Sequence, residues 1–235
     1  MRLSHKVKKV FNLDAWQSTK AMLRRLSYPL PVQPFIDAID KEGFEKIRAR
    51  YYNPKEKVNP KKYLNLDVWM RTNVKRVRDH RIRQAPPKLR ILVIGSGSGY
   101  FLHILQCLGH DVVGMDIDTE PVFRETFALL KLPRVIWRIE PFQPLPDLGD
   151  KFDFITGHMT CFNRRADDTH WGQEEWKYFL KDLLEHLKPG GNIQFDLNPL
   201  RDGRHMEPAL RNWFKSIGGK IDRRKVYLTP PFKNL

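Results

Sequence analysis

The chain has 235 residues, of which 41% are hydrophobic and 29% charged, and its formal net charge is +15. This length suffices for one large domain, or for a domain with an appendage, around a substantial core. Two cysteines, Cys107 and Cys161, are too few for a disulfide framework, and no apolar run is long enough for a transmembrane segment. We therefore expect a soluble protein of a reducing, cytoplasmic compartment.

The positive charge is concentrated in the first part of the chain. Residues 1–90 contain 23 Lys and Arg against 8 Asp and Glu, whereas residues 91–235 contain 19 of each. We therefore predict a basic helical N-terminal extension or lid at 1–87 and a second domain at 88–235. Residues 1–84 are suited to attract nucleic acid or an acidic membrane surface. A solvated basic face on packed helices would give the same pattern, and both interpretations stay open.

Helices are predicted throughout the basic region, at 3–11, 14–26, 34–49 in whole or part, and 65–81. Aromatic residues are too numerous here for a disordered tail. The last of these helices places Leu66, Trp69, Met70, Val74 and Val77 on one face, which predicts an amphipathic helix packed on a core.

The most specific pattern is the run ILVIGSGSGYF at 91–101. Four apolar residues lead directly into Gly95, Gly97 and Gly99, and an apolar helical pattern follows. This predicts a buried parallel strand, a main-chain loop and a helix N-terminus that receive the polar part of a nucleotide-like cofactor. Tyr100 stands where a dinucleotide fingerprint needs a small residue, so an NAD-dependent oxidoreductase is disfavoured.

Three further strands are predicted after the glycine-rich loop. The strand 111–118 carries Asp116, which lies 21 residues after Gly95, where a carboxylate can accept hydrogen bonds from ribose hydroxyls. A third strand is predicted at 134–138, and a fourth, at 151–158, has the pattern KFDFITGH. A helix over 176–187 is predicted to stop at Pro189, where Gly190 and Gly191 turn the chain into a fifth strand.

The G-x-G-x-G loop, the F-D-F-I strand and the L-K-P-G-G turn, in this order, resemble the class I S-adenosylmethionine-dependent methyltransferases. The resemblance covers residue 89 to about 219. It implies a doubly wound, mostly parallel α/β sheet in a Rossmann-like domain at 88–235, with S-adenosylmethionine as cofactor and S-adenosylhomocysteine as product. The chain departs from the family at Val93, where an acidic residue usually helps to orient the methionine end of the cofactor.

The resemblance also assigns site residues. The expected cofactor-binding residues are Gly95, Ser96, Gly97, Gly99, Asp116, Ile117, Glu140, Pro141, Phe142 and Gly157. The expected substrate-lining residues are Tyr51, Tyr52, Tyr63, Trp69, His170 and Trp171. His158 is a candidate general base, although its ring could instead pack while its backbone contacts the cofactor. No metal is expected from His158, Cys161 and His170, because they lack paired-ligand spacing.

These patterns predict a methyltransferase acting on a small-molecule acceptor, and the basicity favours an anionic one. The acceptor atom is left open. The alternative is a catalytically silent binding protein that acts through its basic N-terminal region on nucleic acid or an acidic partner. After a helix predicted at 207–217, residues 220–228 must hold either a very tight hairpin or a single strand.

Overall fold

Seven strands of the described chain form one sheet in the order β3-β2-β1-β4-β5-β7-β6. The computed structural model describes residues 28–52, 61–233 and 235. Strands β1 to β5 run parallel, and β7 is antiparallel to both β5 and β6. The prediction of a doubly wound, mostly parallel α/β sheet is confirmed. The strands are β1 Arg90–Ile94, β2 Asp111–Asp116, β3 Arg134–Ile136, β4 Phe152–Thr160, β5 Leu187–Leu197, β6 Lys220–Asp222 and β7 Lys225–Leu228.

Helices cover both faces of this sheet. Alternate residues of β1 face opposite sides: Ile91 and Val93 pack with the helices α1 to α5, and Leu92 and Ile94 pack with α6 and α7. The helices are α1 Gln33–Asp37, α2 Lys41–Tyr51, α3 Leu66–His80, α4 Tyr100–Cys107, α5 Pro121–Leu129, α6 Gln173–Glu185 and α7 Pro208–Ser216, with a 3-10 helix at Lys61–Leu64. No described helix is long and apolar enough to cross a membrane.

Helix α3 follows the prediction for 65–81 closely. The Asn65 side chain caps its start by accepting from the Val68 N–H at 3.3 Å, and Arg81, with a φ of 57°, ends it in the left-handed conformation. Met70, Val74 and Val77 are completely buried. The α3 helix therefore belongs to the core, together with β1 and α4.

Other boundaries differ from the predictions. The 34–49 segment is divided because Asp40 accepts from the Gly43 N–H at 3.1 Å and starts a new helix, α2. The helix predicted to reach Leu187 ends at Glu185, since Leu187 already pairs with Phe152 in the sheet. The strands predicted to end at 118 and 138 stop at Asp116 and Ile136.

The C-terminal residues form the tight hairpin that was one of the two predicted alternatives. Asp222 pairs with Lys225, so a two-residue turn joins β6 to β7. Arg223 there has a φ of 52°. The helices predicted at 3–11 and 14–26 lie outside the described residues. The division of the chain at 87/88 stays a prediction.

Candidate functional site

A cleft of about 1230 Å³ opens at the carboxyl ends of β1, β2 and β4. This is where parallel α/β sheets bind ligands, because the loops that follow the strands converge there. Its floor includes the glycine-rich loop and Asp116. Its roof, on the 3-10 helix and α3, consists of Lys62, Tyr63, Trp69, Asn73 and Arg76.

The three glycines of the loop all have positive φ, at 66°, 54° and 79° for Gly95, Gly97 and Gly99. A Cβ on Gly95 would lie 1.8 Å from Thr160 Cγ2, so this glycine lets β4 approach the loop closely. A Cβ on Gly97 would have no heavy atom within 4 Å. The main chain at Gly97 is therefore open to a ligand in the cleft.

Asp116 is held against the loop by two main-chain hydrogen bonds. The Gly97 N–H donates to Oδ2 at 2.6 Å, and the Ile117 N–H donates to Oδ1 at 2.8 Å. Burial raises the pKa of Asp116, and these two bonds and the nearby Arg134 oppose that rise. Each carboxylate oxygen keeps a further acceptor site, so Asp116 can still accept from vicinal hydroxyls such as those of a ribose. These residues fit a nucleoside cofactor.

Aromatic side chains of the roof close the cleft above Asp116. The Tyr63 ring lies 4.2 Å from the Trp69 ring and 5.4 Å from the Phe123 ring, measured between centroids. Trp69 Nε1 donates to the Lys62 carbonyl oxygen at 2.8 Å. Tyr63 and Trp69, both predicted to line the substrate site, therefore lie in the cleft.

His158 lines the cleft and lies beside a second histidine, His80. The β4 strand is irregular after His158, where Met159 has a φ of 58°. His158 Nε2 lies 2.8 Å from His80 Nε2 on α3. Burial lowers the pKa of His158 well below 6.5 and that of His80 to about 3. Both rings are therefore neutral at neutral pH, and one donates a hydrogen bond to the other.

The sequence analysis missed the polar side chains that α3 directs at the cleft and the sheet. Trp69, Asn73, Arg76 and His80 follow helical spacing and form what we term the cleft-side stripe of α3. It packs beside polar side chains of β4 and β5 that are themselves buried, namely Thr156, His158, Gln194 and Asp196. The signal was present in the sequence, because polar residues at core spacing mark a partner or a site.

The remaining predicted residues divide into two groups. Ser96, Ile117, Glu140, Pro141 and Trp171 line the cleft with Gly95, Gly97, Gly99 and Asp116. Gly157, His170, Phe142, Tyr51 and Tyr52 do not line the cleft that the described residues form.

Each residue of the second group has other contacts. Gly157 lies inside the sheet, where a Cβ would meet Phe195 at 3.1 Å. Phe142 is 55% exposed and packs on Tyr178. It lies after β3, and that strand ends earlier than predicted. The Tyr51 hydroxyl donates to Glu125 at 2.6 Å because α2 packs on α5. Tyr52 is stacked by Arg48, and His170 pairs with Arg164 in a short bridge.

No group of three His, Cys, Asp or Glu side chains within 28–52, 61–233 and 235 is arranged to hold a metal ion. Both cysteines are free thiols.

Part of this chain is similar to known methyltransferases. Residues 91–191 match the family model described as a methyltransferase domain. A ubiquinone biosynthesis O-methyltransferase of Brucella anthropi is 27% identical over 165 residues, which are 66% of this chain and 61% of that protein. The protein of the same name in Mesorhizobium japonicum is 31% identical over 172 residues, which are 69% of this chain and 64% of that protein. The chain thus spans less than two thirds of the length of these curated relatives.

Among solved structures, a ribosomal protein L11 methylase from Lactobacillus delbrueckii subsp. bulgaricus is 20% identical. The alignment covers 69% of this chain and 79% of that chain, with a TM-score of 0.44.

The matched residues 91–191 include the buried strand, the open glycine loop, Asp116, His158 and the L-K-P-G-G sequence. Residues 91–191 of this chain are therefore similar to a methyltransferase domain, in agreement with the resemblance to the class I S-adenosylmethionine-dependent methyltransferases.

Proposed function

We propose that this protein transfers a methyl group from S-adenosylmethionine to a small-molecule acceptor and releases S-adenosylhomocysteine. One observation carries the proposal: Asp116, at the end of β2, accepts the Gly97 N–H while it faces a large cleft. This places a carboxylate beside an exposed stretch of main chain, the combination that an adenosine-containing ligand requires.

In this proposal Asp116 accepts hydrogen bonds from the ribose hydroxyls of the cofactor. Main-chain groups of 95–99 bind its polar end, and Ile117 and Pro141 provide apolar contacts for the adenine. Val93 lines the cleft but contributes no charge, since its side chain is apolar. Binding then depends on Asp116 and the loop more than in relatives that have an acidic residue at this position.

We propose a hydroxyl oxygen as the methyl acceptor, because the curated relatives are named as O-methyltransferases. The bound cofactor supplies a methyl carbon that a positive sulfur has already activated. Formation of the new oxygen–carbon bond would break the sulfur–carbon bond and leave its electron pair on sulfur, so the protein would have to accept only the hydroxyl proton. His158 accepts the hydroxyl proton. Neutral His158 can do so despite its lowered pKa, since an oxygen that gains a methyl group becomes strongly acidic.

The charge of the cleft favours an anionic acceptor. Lys62, Arg76, Arg138, Arg164, Arg165 and Arg201 line it, against four acidic residues, Asp116, Glu140, Asp167 and Asp168. A cleft with excess positive charge attracts anions and raises their local concentration.

Titration calorimetry with S-adenosylhomocysteine tests the cofactor part of this proposal. We expect micromolar binding, and a loss of about tenfold or more in Asp116→Ala, since hydrogen bonds to a carboxylate are removed. Asp111→Asn at the other end of β2 is the matched control, because Asp111 pairs with Arg90 away from the cleft. Absence of binding at millimolar ligand would contradict the proposal. Binding without methyl transfer to any hydroxylated acceptor would instead favour the silent binding protein.

A further inference from the structure

The ring of His80, on α3, and the ring of His158, on β4, meet at their Nε2 atoms, which lie 2.8 Å apart. One hydrogen lies between these two nitrogens, so one ring donates and the other accepts. A neutral imidazole carries its proton on only one of its two nitrogens. The ring that donates at Nε2 therefore has an unprotonated Nδ1, and the ring that accepts at Nε2 carries its proton on Nδ1.

The surroundings of the pair keep both rings neutral. Desolvation lowers the pKa of each ring, and the positive charges of Arg76 and Lys225 lower both pKa values further. Arg224 acts in the same direction on the ring from β4, whereas Asp79 opposes the effect on the ring from α3. The pair thus holds two protons at neutral pH, and the direction of its hydrogen bond decides which nitrogens carry them.

Gln194, on β5, is hydrogen-bonded to the ring of His80. The Gln194 side chain is buried, and its Nε2 donates to Oδ1 of Asp196 at 3.1 Å. A carboxylate has only acceptor oxygens, so Asp196 holds the amide NH₂ group and leaves the amide oxygen for His80. The Gln194 bond raises the pKa of His80, as a bond to an acceptor oxygen does. His80 is therefore the donor to Gln194.

We propose that Gln194 and His80 fix the tautomer of His158, so that His158 accepts the hydroxyl proton of the methyl acceptor at Nδ1. Gln194 accepts from Nδ1 of His80, and Nε2 of His80 accepts from the Nε2–H of His158. The hydrogen bond that one ring nitrogen makes determines which nitrogen is protonated, so Nδ1 of His158 keeps its lone pair. This inference rests on the proposed function, in which His158 accepts the proton, and it names the accepting atom.

The opposite tautomer of His158 would be unsuited to this role. Its unprotonated nitrogen would be Nε2, which His80 already occupies, so the ring could accept a further proton only if the pair separated. In the proposed tautomer the hydroxyl proton moves to Nδ1, and the imidazolium that forms keeps its Nε2–H bond to His80. Gln194 and His80 are thus positioning residues, because they act through His158.

NMR of the full, ¹⁵N-labelled chain without ligand tests this assignment. Long-range proton–nitrogen spectra near neutral pH show which nitrogen of each histidine carries the proton. We expect Nε2–H in His158 and Nδ1–H in His80. Gln194→Leu removes the acceptor, so the Nδ1–H tautomer of His158 should become populated.

Thr156→Val is the matched control for Gln194→Leu. Thr156 pairs with Gln194 across β4 and β5 and is completely buried. Its hydroxyl has no hydrogen-bond partner among the described residues, so this variant should keep both wild-type tautomers.

Three spectra would overturn the inference. An Nδ1–H tautomer of His158 in the wild type would do so directly, and this spectrum stays decisive if Gln194→Leu does not fold. Unchanged tautomers in a folded Gln194→Leu variant would show that Gln194 does not set them. An equal change in Thr156→Val would assign the effect to repacking of the sheet.

Calorimetry with S-adenosylhomocysteine separates this inference from the proposed function. Gln194 does not line the cleft that the described residues form, so Gln194→Leu should bind this nucleoside as the wild type does. A loss of about tenfold in this variant would contradict a role confined to the tautomer of His158. Absence of binding by the wild type would contradict the proposed function, and the tautomers would still test the hydrogen bonds from Gln194 to His158.

Discussion

The Tyr100 hydroxyl donates a hydrogen bond to the Tyr63 carbonyl oxygen at 3.0 Å and so ties the start of α4 to the roof of the cleft. Tyr100 is 3% exposed, and burial raises the pKa of its hydroxyl. The large side chain that disfavoured a dinucleotide fingerprint therefore has a structural role here. It connects the helix that follows the glycine loop to the 3-10 helix above it.

Tyr100→Phe should lower the free energy of unfolding by about 1 kcal/mol, because the Tyr63 carbonyl loses a buried donor. Urea denaturation measures this change. Hydrogen exchange at the amides of 62–64 should become faster, since the Tyr100 hydrogen bond holds the 3-10 helix in place. Tyr178→Phe, which alters a tyrosine that packs on exposed Phe142, is the control. Unchanged exchange in Tyr100→Phe would show that the hydrogen bond does not hold the roof.

Alanine at Gly95 and at Gly97 should have different effects. Gly95→Ala should cost about 1–3 kcal/mol of stability, because its Cβ would meet Thr160 Cγ2 at 1.8 Å. Thr160→Ser removes that Cγ2 and should restore part of the loss. Gly97→Ala should cost about 1 kcal/mol of stability, because alanine is strained at this positive φ. It should also weaken S-adenosylhomocysteine binding, because the added methyl group points into the open cleft. Thermal unfolding and calorimetry distinguish the two, and equal behaviour of both variants would refute this interpretation.

Substitutions of Tyr63 and Tyr51 should have different effects on the affinity for S-adenosylhomocysteine. Tyr63→Ala should weaken S-adenosylhomocysteine binding several-fold, because it removes a ring that packs on Trp69 and Phe123 in the roof. Tyr51→Phe should leave the affinity unchanged, since the Tyr51 hydroxyl donates to Glu125 outside the cleft. An equal loss in both variants would contradict the position of the cleft.

The His80–His158 pair should make folding stability sensitive to acid. Unfolded histidine has a pKa near 6.5, and burial depresses both folded values. Lys225 and Arg76 add to this depression in both rings, and Asp79 opposes it at His80. Below pH 6.5 the unfolded chain therefore binds protons that the folded chain does not.

As the pH is lowered below about 6.5, the free energy of unfolding should fall by up to about 1.4 kcal/mol per pH unit for each histidine. For His80 the fall should continue to about pH 3. Urea unfolding at several pH values measures this slope, and His158→Gln should reduce it. His186→Gln is the control, since His186 lies outside the pair at the end of α6. NMR titration in which both histidine rings gain protons near pH 6.5 would contradict the prediction.

The parts of the site that local sequence determines were predictable. The turn at Gly95–Gly99 needs positive φ at each glycine, and Asp116 follows a strand at a fixed distance from it. The parallel direction of strands β1 to β5 follows from the alternation of strands and helices along the chain. Those features depend on residues close in the chain or on general rules of chain connection.

The missed features depend on which helix packs over which strand. Arg76 and Asn73 resemble part of a solvated basic face until α3 packs beside β4 and β5. Tyr51 and Tyr52 resemble cleft residues until α2 packs on α5 instead. Spacing along one helix predicts which side chains share a face, but the partner of that face is a tertiary property.

Helix α3 also determines how a ligand can reach the cleft. Met70, Val74 and Val77 are completely buried, and the adjacent cleft-side stripe forms most of the roof. The roof cannot move outward unless those three side chains leave the apolar core, and that movement would be a partial unfolding of the protein. Another margin of the cleft, among the described residues, includes residues of 161–168 together with Arg201. That margin carries the exposed thiol of Cys161, so a chemical label attached there would report on a ligand bound in the cleft.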